Sequence, residues 1–111
     1  MTPEGRVRAH LRREARKRGF EHRKLRWIAR TGAPDELVFW PHGPLKAHCF
    51  VEVKRQDGRL EAHQNREIGR LRQAGFTVWT IYNTDGADML LDWLTSVAAK
   101  GEDTVTTRGS R

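Results

Sequence analysis

At 111 residues with 37% apolar content, four Trp and four Phe, the chain can build one modest core and is too short for two domains. One cysteine excludes an intramolecular disulfide, and no run approaches the roughly 20 apolar residues of a membrane span, so a cytoplasmic, soluble protein without a secretory leader is expected. The formal charge is +7 and unevenly spread: residues 1–30 hold 11 Lys and Arg against 3 acids, while residues 31–111 hold 10 against 11. That asymmetry suggests a polyanion-binding face, with nucleic acid the commonest polyanion. An anionic membrane surface is disfavoured, because the basic segment lacks large aromatics on its apolar side.

Thr2 can cap a helix with Pro3 at its first position, and Gly19 is placed to stop it. Val7, Leu11 and Ala15 recur at helical spacing. Glu4 falls on that same stripe, where it either caps the first turn or serves a site on the core side. Arg6, Arg8, Arg12, Arg13, Arg16 and Lys17 fill the remaining faces. Residues 23–29 alternate as a half-exposed strand, with Lys24, Arg26 and Arg30 along one side as phosphate contacts or solvent-facing charges. Thr31-Gly32-Ala33-Pro34 forms a turn before a strand over 35–40, and the turn-rich Pro41-His42-Gly43-Pro44 leads to a third strand over 47–54.

On that third strand Cys49, Val51 and Val53 share one face, and Cys49 reads as a small buried hydrophobe. Glu52 and Lys54 share the other, roughly 6.6 Å apart at ~3.3 Å per residue. After a turn at Arg55-Gln56-Asp57-Gly58, a helix runs over 61–74, with Gln64 on the same side as Ile68 and Leu71. A central strand over 76–82 follows. The last helix starts at Thr84 or Asp85 and carries the stripe Leu90, Leu91, Leu94, Val97 and Ala98. Residues 101–111 lack periodicity and read as a flexible tail. His10, His22, His42, His48 and His63 show no zinc spacing and are assigned to surface or packing roles.

Asp35, Glu52 and Lys54 converging at a sheet edge are the parts needed to hold a divalent cation and activate a water. Gly32-Ala33-Pro34-Asp35, an apolar strand and then Val51-Glu52-Val53-Lys54 resemble the PD-(D/E)XK nuclease superfamily. With Glu4 ahead and Gln64 behind, the pattern from about Thr2 to Ile81 resembles the virus-type replication-repair nuclease domain, VRR-NUC. One departure is visible: relatives often open the second helix with Ser-Pro, whereas this chain has Glu61-Ala62, a poorer cap.

The resemblance implies a single α/β domain over residues 1–100, with a restriction-endonuclease-like core whose mixed four-stranded sheet is flanked by helices. It implies an endodeoxyribonuclease using Mg²⁺ or Mn²⁺. Asp35, Glu52 and the Val53 carbonyl would be metal ligands, with Glu4 bound directly or through water. Lys54 would orient the attacking water or offset developing charge, and Gln64 would position that water or a phosphate. Arg6, Lys24, Arg26, Arg30 and Arg55 would contact DNA. Small stand-alone members are similar to Holliday-junction resolvases, so a homodimer acting on four-way junctions is expected. Flap or splayed-arm cleavage is the nearest alternative. A non-catalytic basic DNA-binding module, or a structural subunit with an internal Glu52–Lys54 salt bridge, would lack cleavage altogether.

Overall fold

The computed structural model describes residues 1–43, 46–54, 58 and 60–109, the stretch 101–109 in backbone only. Helix α1 (Pro3–Lys17) leads into strands β1 (Glu21–Lys24), β2 (Glu36–Phe39) and β3 (His48–Val53). Helix α2 (Ala62–Gln73), strand β4 (Val78–Ile81) and helix α3 (Thr84–Gly109) complete the order. The four strands form one mixed sheet in sequence order: β1, β2 and β3 are antiparallel neighbours, and β4 joins β3 in parallel after the α2 crossover. No described helix is long and apolar enough to cross a membrane.

The helix signals in the sequence are used as expected. Thr2 caps α1 by accepting from the Gly5 N–H at 3.0 Å, and Gly19 closes it with φ +85°. The Asn83 side chain accepts from the Gly86 N–H at 2.8 Å and starts α3. Two expectations change. The first strand ends at Lys24 rather than 29, because the chain turns: Ala29 has φ 61° and the Trp27 indole donates to the Pro34 carbonyl at 2.6 Å. The backbone of α3 stays helical through Gly109, past the start of the expected tail. A nucleated helix gains one hydrogen bond per added residue and needs no apolar periodicity to continue.

Alternation along the strands divides the sheet into two faces. Val38, Cys49, Val51, Val53 and Ile81 point to one, where they meet Val7, Leu11 and Ala15 of α1 and Ala87, Leu90, Leu91, Leu94 and Ala98 of α3. All three α3 leucines are fully buried, each contributing about 1.5–3 kcal/mol. The other face carries Leu37, Phe39, Phe50 and Glu52 and is only partly covered by α2, leaving an apolar groove of about 480 Å³ that Trp40 and Phe76 also line.

One residue on the α1 face breaks the apolar pattern. Glu36 is in phase with Val38, opposite Val51, and has no exposed surface. Its Oε1 accepts from Arg12 at 2.9 Å and lies 3.4 Å from Arg8 Nε, and its Oε2 accepts from His22. Lys24 Nζ stands 3.9 Å away. Burial alone would raise the Glu36 pKa, but the hydrogen bonds from His22 and Arg12 outweigh it, and the carboxyl sits below its ordinary value. The group therefore stabilises the fold above its ordinary pKa of 4.5, and that contribution is lost as pH falls. Replacing Glu36 with Leu leaves three cationic or polar side chains facing apolar surface, and should lower unfolding free energy by roughly 3–5 kcal/mol in urea titrations at pH 7. A change below about 1 kcal/mol would show that the cluster does not hold α1 on the sheet.

Candidate active site

Asp35 stands one residue before β2, and Glu52 one residue before the end of β3. Glu52 is on the α2 side of the sheet by strand parity, whereas the Asp35 side chain meets Arg8 of α1 and Lys24 of β1. Glu52 is 7% exposed. Its Oε1 accepts from Gln64 Nε2 at 3.2 Å and lies 3.6 Å from Lys54 Nζ, while the Lys54 N–H donates to the Ile81 carbonyl at 2.9 Å. Burial and, less strongly, the Asp35 charge raise the Glu52 carboxyl against the pull of Lys54 and Arg8, leaving it at about 6.

Asp35 is held asymmetrically. Its Oδ2 accepts from Arg8 at 3.2 Å and from Lys24 at 3.4 Å, whereas Oδ1 is shielded from solvent and has no hydrogen-bond partner among the described residues. A buried carboxylate oxygen without a donor costs free energy that a hard cation would recover. Asp35 Oδ1 and the Glu52 carboxylate are therefore hard oxygen donors of the kind a divalent cation takes. Val53 ends the strand one residue on, with its side chain in the core. Glu4 stands further off. Its contact is Arg8 at 3.9 Å, and Glu4, Asp35 and Glu52 do not all come within 4.8 Å of one another.

The loop before β2 is fixed against α2, which explains how residues 35 and 52 come together. Leu25 N–H donates to the Asp35 carbonyl at 2.8 Å, and Arg30 pairs with Glu67 of α2 at 2.8 Å. Gly32 has φ +80° and sits so close to α2 that a Cβ would lie 2.8 Å from His63 Cδ2 and 2.9 Å from Gln64 Cα. Gln64 then does two jobs. Its Oε1 accepts from the Glu61 N–H at 2.9 Å, and its Nε2 donates to Glu52. The weak Glu61-Ala62 start is thereby completed by the side chain that also reaches the pocket.

The expected DNA contacts are placed unevenly. Arg6 and Arg26 are exposed, Lys24 turns inward to Asp35 and Glu36, and Arg30 is engaged by Glu67. They do not line one side of a strand, because β1 ends before Arg26. Arg55 lies outside the described residues. Arg30 instead borders a cleft of about 200 Å³ with His63, Arg66 and Arg70 of α2. Sequence reading passed over Arg8, Arg12, His22 and Glu36; the available signal was an acid in phase with Val38 on a core-facing strand. The histidines divide likewise. His22 binds Glu36, and His10 binds Asp88 of α3 at 2.7 Å, with Glu14 close enough for the three to share an ion.

No family model matches the sequence, and no curated protein matches it. Among solved structures, one described as a VRR_NUC domain is 35% identical, with a TM-score of 0.74 over 83% of this chain and 97% of that one. A mixed four-stranded sheet with three helices is consistent with a VRR_NUC nuclease-like domain. At this identity and coverage, the chain belongs to the VRR-NUC family.

Two outcomes follow from the site geometry. Gly32→Ala forces a left-handed backbone and overlap with the Gln64 backbone, so it should destabilise by at least about 2 kcal/mol. Gly43→Ala, with φ +71° but open space around it, should cost less in the same thermal melts. For Glu52, a carboxyl raised in the folded state favours folding only while protonated, so its contribution declines as pH climbs from about 4.5 to 6. In EDTA, Glu52→Gln should therefore stabilise the protein by up to roughly 2 kcal/mol at pH 7.5 and by nothing measurable at pH 4. A Gln variant less stable than the parent at pH 7.5 would contradict this account of Glu52.

Proposed function

We propose that this nuclease domain, spanning residues 1–100, is a metal-dependent endodeoxyribonuclease that cleaves branched DNA, with four-way junctions as its preferred substrate. The observation that carries the reading is the unpartnered Asp35 Oδ1 beside a Glu52 whose other contacts are Lys54 and Gln64. A divalent cation held by Asp35, Glu52 and the Val53 carbonyl, with Glu4 direct or through water, would neutralise phosphate charge and acidify a water. Lys54 brings a fixed positive charge to the same place, suited to orienting the nucleophile or offsetting charge that builds on phosphorus. Gln64, locked by its bond to the Glu61 N–H, holds the Glu52 carboxylate in one orientation and offers its amide to a water or phosphate.

The basic first segment gives the polyanion somewhere to bind, through Arg6, Lys24, Arg26 and Arg30, with Arg55 as a further contact. Two equivalent phosphates on a symmetric junction call for two sites, so the active form is proposed to be a homodimer. Flap or splayed-arm cleavage uses the same pocket and differs only in how DNA is held.

The experiment is cleavage of labelled four-way junctions, flaps, splayed arms and duplex, each with Mg²⁺, Mn²⁺ or EDTA. Junction cutting with either metal and none with EDTA is expected. Asp35→Ala and Lys54→Ala should lose at least about 100-fold in rate while gel-shift affinity stays within about threefold. Salt-sensitive binding without cutting under any condition would replace this reading with a non-catalytic DNA-binding module. Light scattering on a sizing column should give twice the chain mass, and a monomer active on junctions would remove the dimer.

A further inference from the structure

Arg8 makes contacts that no solvent-facing helix arginine needs. Its side chain is 19% exposed, and its guanidinium lies 3.2 Å from Asp35 Oδ2, 3.4 Å from Glu36 Oε1 and 3.9 Å from Glu4 Oε2. The group therefore touches the buried anchor of the fold and the Asp35 carboxylate of the active-site pocket at once, with Glu4 beyond. We propose that Arg8 is the resident counter-charge of that pocket: a positioning residue that holds Asp35 by Oδ2, turns Oδ1 towards the cation position, and keeps affinity for a divalent cation low. The inference rests on the pocket being a cation site.

A guanidinium stays charged at every accessible pH, so this positive charge is permanent. Glu36, which has no exposed surface, lies 3.4 Å from Arg8 Nε and keeps that charge beside the pocket. Two arriving positive charges then meet a third; at ~6 Å such a repulsion is worth about a factor of ten in affinity even at the dielectric of water. The arrangement also lets Arg8 be removed without collapse. Glu36 keeps Arg12 at 2.9 Å and His22, and Asp35 Oδ2 keeps Lys24 at 3.4 Å. Glu36 and Asp35 would each still have a donor, so the buried anchor and the pocket would lose chiefly the extra charge.

The test is Mn²⁺ binding to the whole chain without DNA, read from the signal of free Mn²⁺ by electron paramagnetic resonance. Wild type, Arg8→Met, Arg8→Lys and Asp35→Asn are compared, with circular dichroism to show each is folded. Arg8→Met should bind Mn²⁺ about tenfold more tightly, and Arg8→Lys, which restores the charge, should return to within about threefold of wild type. Asp35→Asn should bind far more weakly. Should Arg8→Met not fold, Arg8→Gln makes the same comparison. Unchanged or weaker binding by the neutral variants overturns the role given to Arg8 and leaves the cation site standing. No Mn²⁺ binding by wild type at millimolar concentration overturns the cation site and this inference together.

Discussion

A fully buried glutamate holds this molecule in register. Isolated, the Glu36 carboxylate could not stay ionised against Val38 and Val51. It does so because α1 delivers Arg8 and Arg12 and β1 delivers His22 to its two oxygens. The requirement works in both directions. The helix can sit on the sheet only where arginines four residues apart reach Glu36, and β1 can pair with β2 only in the register that brings His22 within reach. Apolar contacts between Leu11, Val38 and Val51 would tolerate a small slide of the helix; ion pairs with fixed geometry do not. Because Asp35 is the next residue along the chain, whatever fixes Glu36 also fixes the first carboxylate of the pocket.

The second carboxylate is fixed from the opposite side of the sheet. Glu52 projects towards α2, where Gln64 meets it, and α2 is in turn pressed onto the loop that carries Asp35 by Gly32 and by Arg30–Glu67. Each half of the pocket is thus attached to a different helix, and the loop over residues 25–35 joins the two attachments. This explains why Gly32 belongs to the site without touching it. A side chain at that position would push the loop from α2 and separate the groups on which the chemistry depends.

How much of this was legible in the sequence follows from range. The strands, the three helices and the pairing of Glu52 with Lys54 are set by periodicities of 2 and 3.6 and by end signals such as Thr2 and Gly19, all local. The pattern of Glu4, Asp35, Glu52, Lys54 and Gln64 matched a family whose kinship the solved structure bears out. What local patterns did not carry were partners far apart in the chain: Arg12 with Glu36 is 24 residues, Arg30 with Glu67 is 37, and His10 with Asp88 is 78. The early end of β1 belongs with them, since Trp27 leaves the strand direction to reach Pro34. Glu61 was read as a weak helix start because an N-terminal cap was sought in the capping residue itself, whereas Gln64 supplies the bond from inside the helix.

The same long-range pairs change what the net charge means. A basic first segment invites the view that its cations form one surface for a polyanion, yet Arg8, Arg12 and Lys24 are turned onto Glu36 and Asp35, and Arg30 onto Glu67. These charges solve an internal problem, the burial of carboxylates, before they can address an external one. Cations left outward include Arg6 and Arg16 on α1, Arg26 after β1, and Arg66 and Arg70 on α2. They belong to several elements rather than to one helix face. The basic excess is thus divided: part of it forms the ion pairs that shape the interior, and part remains as an outward positive field.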